Sequence, residues 1–323
     1  MDAQHTLWEY RLQAEDSGQK YLTILLHKFH FSLRLLQRLK QGEHVWINGK
    51  FTYLTARGKE GETLSIQLFP AEETNIPGEN LPLDILYEDE YLLVVNKPVG
   101  QVVHPTHRYL TNTLGNAVVG YWERKGEYRL YRPIHRIDRD TSGVVIIAKN
   151  QFAHQQLAWQ LERGHIQKRY FGFVEGVVPE NEGTIDDPIG FAPDSFIKRQ
   201  VQPDGQPART HYRVLHRFPN ATFLEFILET GRTHQIRVHC EGFKHPLLGD
   251  DLYNGDTTLL SRQALHSSVY AFLHPATGLP MVIRAPFPED LRNLIKTLNK
   301  GIVQYIFDDS SQTSSISDDA ISE

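Results

Sequence analysis

Cysteine is nearly absent: the one thiol in 323 residues, Cys240, has no partner for an internal disulfide and none for a metal cluster. That fits a reducing compartment and a small buried apolar side chain. Also missing is any run of roughly 18 apolar residues able to cross a bilayer. The N-terminal stretch MDAQHTLWEYRLQAED is too acidic and too broken for a signal peptide. The expectation is a cytoplasmic protein with no membrane partner. His234 and His239 do not form His-Glu-x-x-His, and Gly231 through Gly249 holds no phosphate-cradling glycine pattern. Neither a metal nor a nucleotide cofactor is expected.

What is present is ordinary in bulk, with 40% hydrophobic and 23% charged residues, and the length suits two or three folded units. The formal charge of −5 is unevenly placed. Asp308, Asp309, Asp318, Asp319 and Glu323 lie in a segment without Lys or Arg, so over residues 1–307 the remaining 34 of 39 acidic residues meet all 34 basic ones. The body is neutral, and the Ser- and Asp-rich end is expected to be disordered. Two basic islands stand on that body. Residues 19–51 carry Lys20, Lys28, Arg34, Arg38, Lys40 and Lys50 against Glu43; residues 131–170 carry seven Lys or Arg against Asp138, Asp140 and Glu162. Attraction to a polyanion follows local potential, so both are candidate phosphate contacts, with solvated helix faces as the plainer explanation.

Leu33, Leu36 and Leu39 recur at helical spacing between Ser32, a capping residue, and Gly42, which can take the left-handed terminal position. HVWINGKFT reads as two strands about an Asn48-Gly49 hairpin turn, and GKEGETLSIQLFP as a further turn and strand. Residues 1–17 are expected to be a tail or an added strand, 18–70 a small α/β unit, and 71–81, rich in Pro, Gly, Glu and Asn, a linker. Over 82–300 strands and helices mix. LDILYEDEYLLVVNKPVG and SGVVIIAKN read as strands, AHQQLAWQLERG as a helix closed by Gly164, ATFLEFILETG as a half-buried strand, and HQIRVHCEG as a helix capped by Thr233. Without a regular βαβ repeat the class is α+β with a mixed sheet, and 301–323 is the acidic tail.

Functional residue types are densest in YRPIHRIDRDTSG, residues 131–143, just before SGVVIIAKN. In an extended backbone Arg136 and Asp138 share a face while Ile137 points away, so cation and carboxylate reach one site. Gly143 permits a tight entry into the strand. His-Arg-x-Asp resembles the protein-kinase catalytic loop, but contiguous His-Arg-Asp, a Gly-rich loop and Asp-Phe-Gly are all missing. An ordinary loop knitted by local ion pairs is the plainer alternative.

HRIDRDTSG at 135–143, however, resembles the signature of the RluA-type pseudouridine synthases, and four further stretches agree in order over most of 82–290. These are ILYEDEYLLVVNKPVGQVVHP at 85–105, IQKRYFGFVEG at 166–176, ETGRTHQIRVH at 229–239 with HPLLGDDLY at 245–253, and ALHSSVYAFLHPATG at 264–278. Residues 18–70 are similar, more weakly, to the S-four-like RNA-binding module, named for ribosomal small-subunit protein four, that often precedes this domain. The chain departs from the family at Ile137, where Leu is commoner, at Gln101, and in its acidic tail.

The resemblance implies a largely antiparallel central sheet flanked by helices, plus the small N-terminal α/β RNA-binding module. It implies conversion of uridine to its carbon-linked isomer in ribosomal or transfer RNA, by a monomer, with no cofactor because the reaction is redox-neutral. Asp138 would act as nucleophile or as base, and an opposite charge would keep it ionised despite burial. Arg237 matches the arginine that pairs with the aspartate, Tyr170 the tyrosine that stacks on the target base, and Arg136 the residue that fills the space left by a flipped base. Arg139, Lys168, Arg169 and Arg232 would contact phosphate, joined by Arg34, Arg38 and Lys40 from the N-terminal helix. Two rivals stand beside this reading. A non-catalytic RNA-binding factor needs no buried carboxylate, and a glycoside hydrolase needs a second acid across the substrate, for which Asp140 is the only close companion.

Overall fold

The computed structural model describes residues 7–68, 74–193 and 195–299. Residues 1–6 and 69–73 and the acidic tail lie outside the described residues. In chain order, β1 (Leu7–Arg11), α1 (Tyr21–His27), α2 (Leu33–Leu39), β2 (Val45–Ile47), β3 (Lys50–Phe51) and β4 (Thr63–Gln67) form the N-terminal unit. Its antiparallel sheet has the order β1-β4-β2-β3. Ser32 Oγ accepts from the Leu35 amide at 3.2 Å to start α2. Asn48 and Gly49 both take positive φ, as a two-residue hairpin turn demands.

Residues 7–16 are part of this unit, so of the two expectations for 1–17 the added strand holds where the chain is described and the tail does not. β1 pairs with β4 along its whole length, and Trp8 is buried against Phe29, Phe31 and Phe152. An indole of that size outweighs the polar residues around it.

The larger unit follows with β5 (Ile85–Glu88), β6 (Leu92–Lys97), α3 (Leu114–Arg124), β7 (Arg132–Pro133), β8 (Ser142–Ala148), α4 (Gln151–Glu162), β9 (Gln167–Glu175) and β10 (Glu182–Ile185). A small hairpin, β11 (Ile189–Phe191) with β12 (Arg199–Val201), stands apart. Then come β13 (Thr210–Arg217), β14 (Ala221–Leu228), α5 (Gln235–Gly242), β15 (Leu265–Leu273), β16 (Pro280–Arg284) and α6 (Glu289–Asn299). Ten strands make one sheet of order β10-β13-β14-β9-β15-β8-β6-β5, with β16 on β15 and β7 on β8. Every pairing is antiparallel except β15 with β8.

β8 shows why its run is β-branched. Val145 and Ile147 pack toward α3, while Val144 and Ile146 pack toward α4, so both faces are covered. Each such side chain contributes roughly 1.5–3 kcal/mol on burial. β14 is covered almost as fully, which corrects the half-buried expectation. Glu225, its polar interruption, is buried with Arg169 and Arg213 as partners. The expected linker is pinned where it is described: Asn116 Nδ2 donates to Pro77 O, and a Cβ on Gly120 would stand 2.1 Å from Glu79 O.

The N-terminal unit is docked on α4. Phe152 completes its core, Arg38 Nη1 donates to Gln151 Oε1 at 2.8 Å, and His30 stacks on Trp159. Among the described residues, no helix is long and apolar enough to cross a membrane.

Candidate active site

Residues 134–141 leave β7 as irregular backbone and close in a turn in which the Thr141 amide donates to Asp138 O at 3.2 Å. The chain enters β8 at Gly143, whose φ is +115° and whose missing Cβ would lie 2.0 Å from Ser267 O on β15. No other residue allows that approach. From behind, Lys97 braces the turn: its Nζ donates to Pro98 O, Gln101 O and Arg139 O at 2.7, 2.7 and 2.9 Å. Burial draws the Lys97 pKa down to about 7, while Asp140 and Asp138 favour its charge.

This scaffold points Asp138 into a cavity lined by Arg136, Tyr170, Arg232, His234 and Arg237 among others. The cavity opens onto a larger cleft that Lys168 and Tyr270 also line. Asp138 Oδ2 accepts from Arg237 Nη1 at 3.2 Å, and its side chain keeps only 24% of its surface exposed. Arg237 in turn is clamped by Asp250, with Nε and Nη2 each donating at 2.7 Å to one oxygen of a fully buried carboxylate. Burial opposes the guanidinium charge, but Asp250 and Asp138 outweigh it and raise the Arg237 pKa. One arginine thus serves two carboxylates, the buried one fixing its plane and the cavity one receiving its free edge.

His234, left-handed at φ 58, is the residue before α5, replacing the expected Thr233 cap. Its Nε2 stands 3.9 Å from Asp138 Oδ1 and its Nδ1 is 2.9 Å from Tyr253 Oη, which accepts from the Arg199 amide. Burial lowers the His234 pKa, with Asp138 opposing. The loop before it is held by Gln235, whose Oε1 accepts from Thr230 Oγ1 and the Arg232 amide.

Of the residues singled out from sequence, Asp138, Arg237, Tyr170, Arg136 and Arg232 meet at the cavity, and Lys168 lines the adjoining cleft. Burial lowers the Lys168 pKa to about 8. Arg139 and Arg169 are not brought there. Arg139 forks onto Asp140 and donates to Tyr109 Oη, and Arg169, one residue from Tyr170 on β9, turns to Glu225. Arg34 and Lys40 are exposed on the N-terminal unit, whereas Arg38 faces α4. Asp140 turns away with Arg139, so Asp138 is the sole carboxylate lining the cavity among the described residues. Asp250, His234, Tyr253 and Lys97 were passed over in sequence. Asking what neutralises a buried Arg237 would have pointed to Asp250, inside the quoted stretch HPLLGDDLY.

The RNA pseudouridylate synthase family model matches residues 91–242, which include Asp138, Tyr170 and Arg237. RNA pseudouridine synthase YjbO of Bacillus subtilis is 41% identical over 271 residues, 83% of this chain and 95% of that protein. The chain belongs to the RluA-type pseudouridine synthases. Ribosomal large subunit pseudouridine synthase D of Haemophilus ducreyi is 38% identical, across 81% of this synthase and 87% of its own length. Among solved structures, human RNA pseudouridylate synthase domain containing 1 matches with TM-score 0.55 and 23% identity, covering 69% of this synthase and 97% of that chain. That likeness concerns the fold, a large, mostly antiparallel sheet flanked by helices. The protein is an isomerase acting on RNA.

Proposed function

We propose that this synthase isomerises specific uridines of large-subunit ribosomal RNA, in the cytoplasm and as a monomer, with Asp138 as the catalytic carboxylate. The observation that carries the reading is the Asp138–Arg237–Asp250 arrangement at the floor of a cavity that also gathers Tyr170 and Arg136. Ribosomal RNA is favoured over transfer RNA because relatives at 37–38% identity are named ribosomal large subunit synthases.

Asp138 cannot reach a stacked nucleotide, so the uridine is turned out of its helix at a cost of about a few kcal/mol. Arg136, exposed at the cavity mouth, fills the vacated space, its planar cation stacking on neighbouring bases. Tyr170 supplies the platform for the displaced base. Asp138 then acts on the sugar or the base while Arg237 holds its charge, the uracil turns, and it is rejoined through carbon, with no cofactor. Arg232 and Lys168 reach flanking phosphates. The S-four-like N-terminal unit adds Arg34 and Lys40, and because it is docked on α4 its grip is fixed relative to the cavity.

Asp138→Asn tests the assignment. Release of tritium from uracil C5 of labelled total RNA should cease while RNA affinity is retained; continued turnover would refute the role of the carboxylate.

A further inference from the structure

Phe191, Phe196, Ile197 and Val201, all large apolar residues open to solvent, lie together on the small β11–β12 hairpin, outside the site described above. Ile189 and Phe191, two apart on β11, share a face, yet Ile189 is 4% exposed and Phe191 55%. At its base the hairpin is covered: Ile189 packs with Val238 and Tyr253, and Lys198 Nζ reaches Glu241 Oε1 at 3.4 Å. Toward the tip that cover ends, and Phe196 is 96% exposed. The tip is still hydrogen-bonded. Ser195 Oγ accepts from the Ile197 and Lys198 amides at 3.2 and 2.8 Å, and the Ala192 amide donates to Lys198 O at 3.0 Å. A bonded turn that holds apolar rings in water presents them to a partner.

Arg199 indicates the chemistry of that partner. Its guanidinium lies 3.2 Å from the centre of the Phe191 ring, and its Nε is buried without a hydrogen-bond partner. Among the described residues no carboxylate pairs with it, unlike Arg139 and Arg237. A flat cation stacked on an aromatic ring and lacking an anion is suited to phosphate. The same residue ties the hairpin to the cavity. Its amide donates to Tyr253 Oη at 3.0 Å, which is 2.9 Å from Nδ1 of His234, a residue lining the cavity.

We propose that the β11–β12 hairpin grips single-stranded RNA beside the displaced uridine, with Phe196 stacking on an unpaired base and Arg199 bonding a phosphate. Such stacking tolerates any base, because every base has a π-face, but the base has to be free of its pairing partner. The target uridine therefore sits at a helix end, next to a loop or junction, and not within a continuous duplex.

The inference rests on RNA being the substrate of the adjoining cavity. It is tested on the full chain by fluorescence anisotropy with two labelled probes, an oligouridine of about 12 nucleotides and an RNA duplex of equal length. Phe196→Ala should weaken oligouridine binding about tenfold, the loss of one stacked base, while duplex binding and the melting temperature stay unchanged. Phe196→Trp should retain the affinity. Arg199→Gln should reduce the salt slope for oligouridine by about 0.7, one phosphate contact; an unchanged slope would overturn that contact. Unaltered oligouridine affinity in Phe196→Ala would overturn the stacking, and so would equal losses on both probes. If Phe196→Ala binds RNA normally but dissociates a dimer seen by sedimentation of the parent chain, the tip covers a second copy and the RNA assignment fails. None of these outcomes touches Asp138, whose role is decided by the turnover of Asp138→Asn.

Discussion

Two arginine–aspartate forks in the larger unit have the same chemistry and opposite surroundings. Arg139 grips Asp140 with Nε and Nη2 at 2.8–3.1 Å, and the two side chains are 49% and 25% exposed. Arg237 grips Asp250 at 2.7 Å, at 8% and 0%. In water the first pair contributes little, because solvent already satisfies both ions. In the interior, removing one partner strands the other charge. Only the second fork can therefore serve as a fixed point for a third group, and Asp138 is that group.

The contrast would vanish if both forks responded alike, and the largest divergence is expected at Asp250. Asp250→Asn should cost about 3–5 kcal/mol of stability by chemical denaturation, and the released Arg237 should lower kcat by about a hundredfold. Acid extends the comparison to a buried group without an ion partner. His135 has its pKa lowered to about 3 in the fold against an ordinary 6.5. Between those values the unfolded chain binds the extra proton, so stability is retained above pH 6.5 and lost as pH falls toward 3. The slope is up to about 1.4 kcal/mol per pH unit, and His135→Phe should flatten it in denaturant titrations at pH 4–6.

Exposed charges should matter to RNA alone. Arg34→Glu with Lys40→Glu is expected to weaken RNA binding roughly tenfold at low salt, and to reduce the salt slope by about 0.7–0.9 for each phosphate no longer neutralised. The melting temperature should not move. Smallest of all, Arg139→Ala should change stability by less than about 0.5 kcal/mol and leave kcat unchanged. A loss comparable to that of Asp250→Asn would end the distinction between the forks.

Much of this was legible in the chain. Ser32, Asn48-Gly49 and β8 signal themselves through local chemistry: a cap, a positive-φ turn, a β-branched run. Asp138, Tyr170 and Arg237 came from ordered motifs, and the structure gathers them in one cavity. Less legible was whatever depends on partners distant in sequence. Asp250 is thirteen residues from Arg237, and its role exists only once α5 and the following loop fold back on each other. Arg169 looked like a phosphate contact because its partner Glu225 lies on β14. Trp8 sat among polar residues and gave no periodic signal, since the aromatic pocket that receives it comes from Phe29 and Phe31 between α1 and α2 and from Phe152 on α4.

The parallel junction of β8 and β15 sets the order in which the protein acquires its activity. The turn carrying Asp138 enters β8 at Gly143, seated against Ser267, and β15 separates β8 from β9, which bears Tyr170. During synthesis that central place stays empty until residues 265–273 have cleared the ribosome. Carboxylate and tyrosine therefore meet only after β15 is made, so on the proposed assignment of Asp138 a product truncated before Leu265 is expected to lack activity.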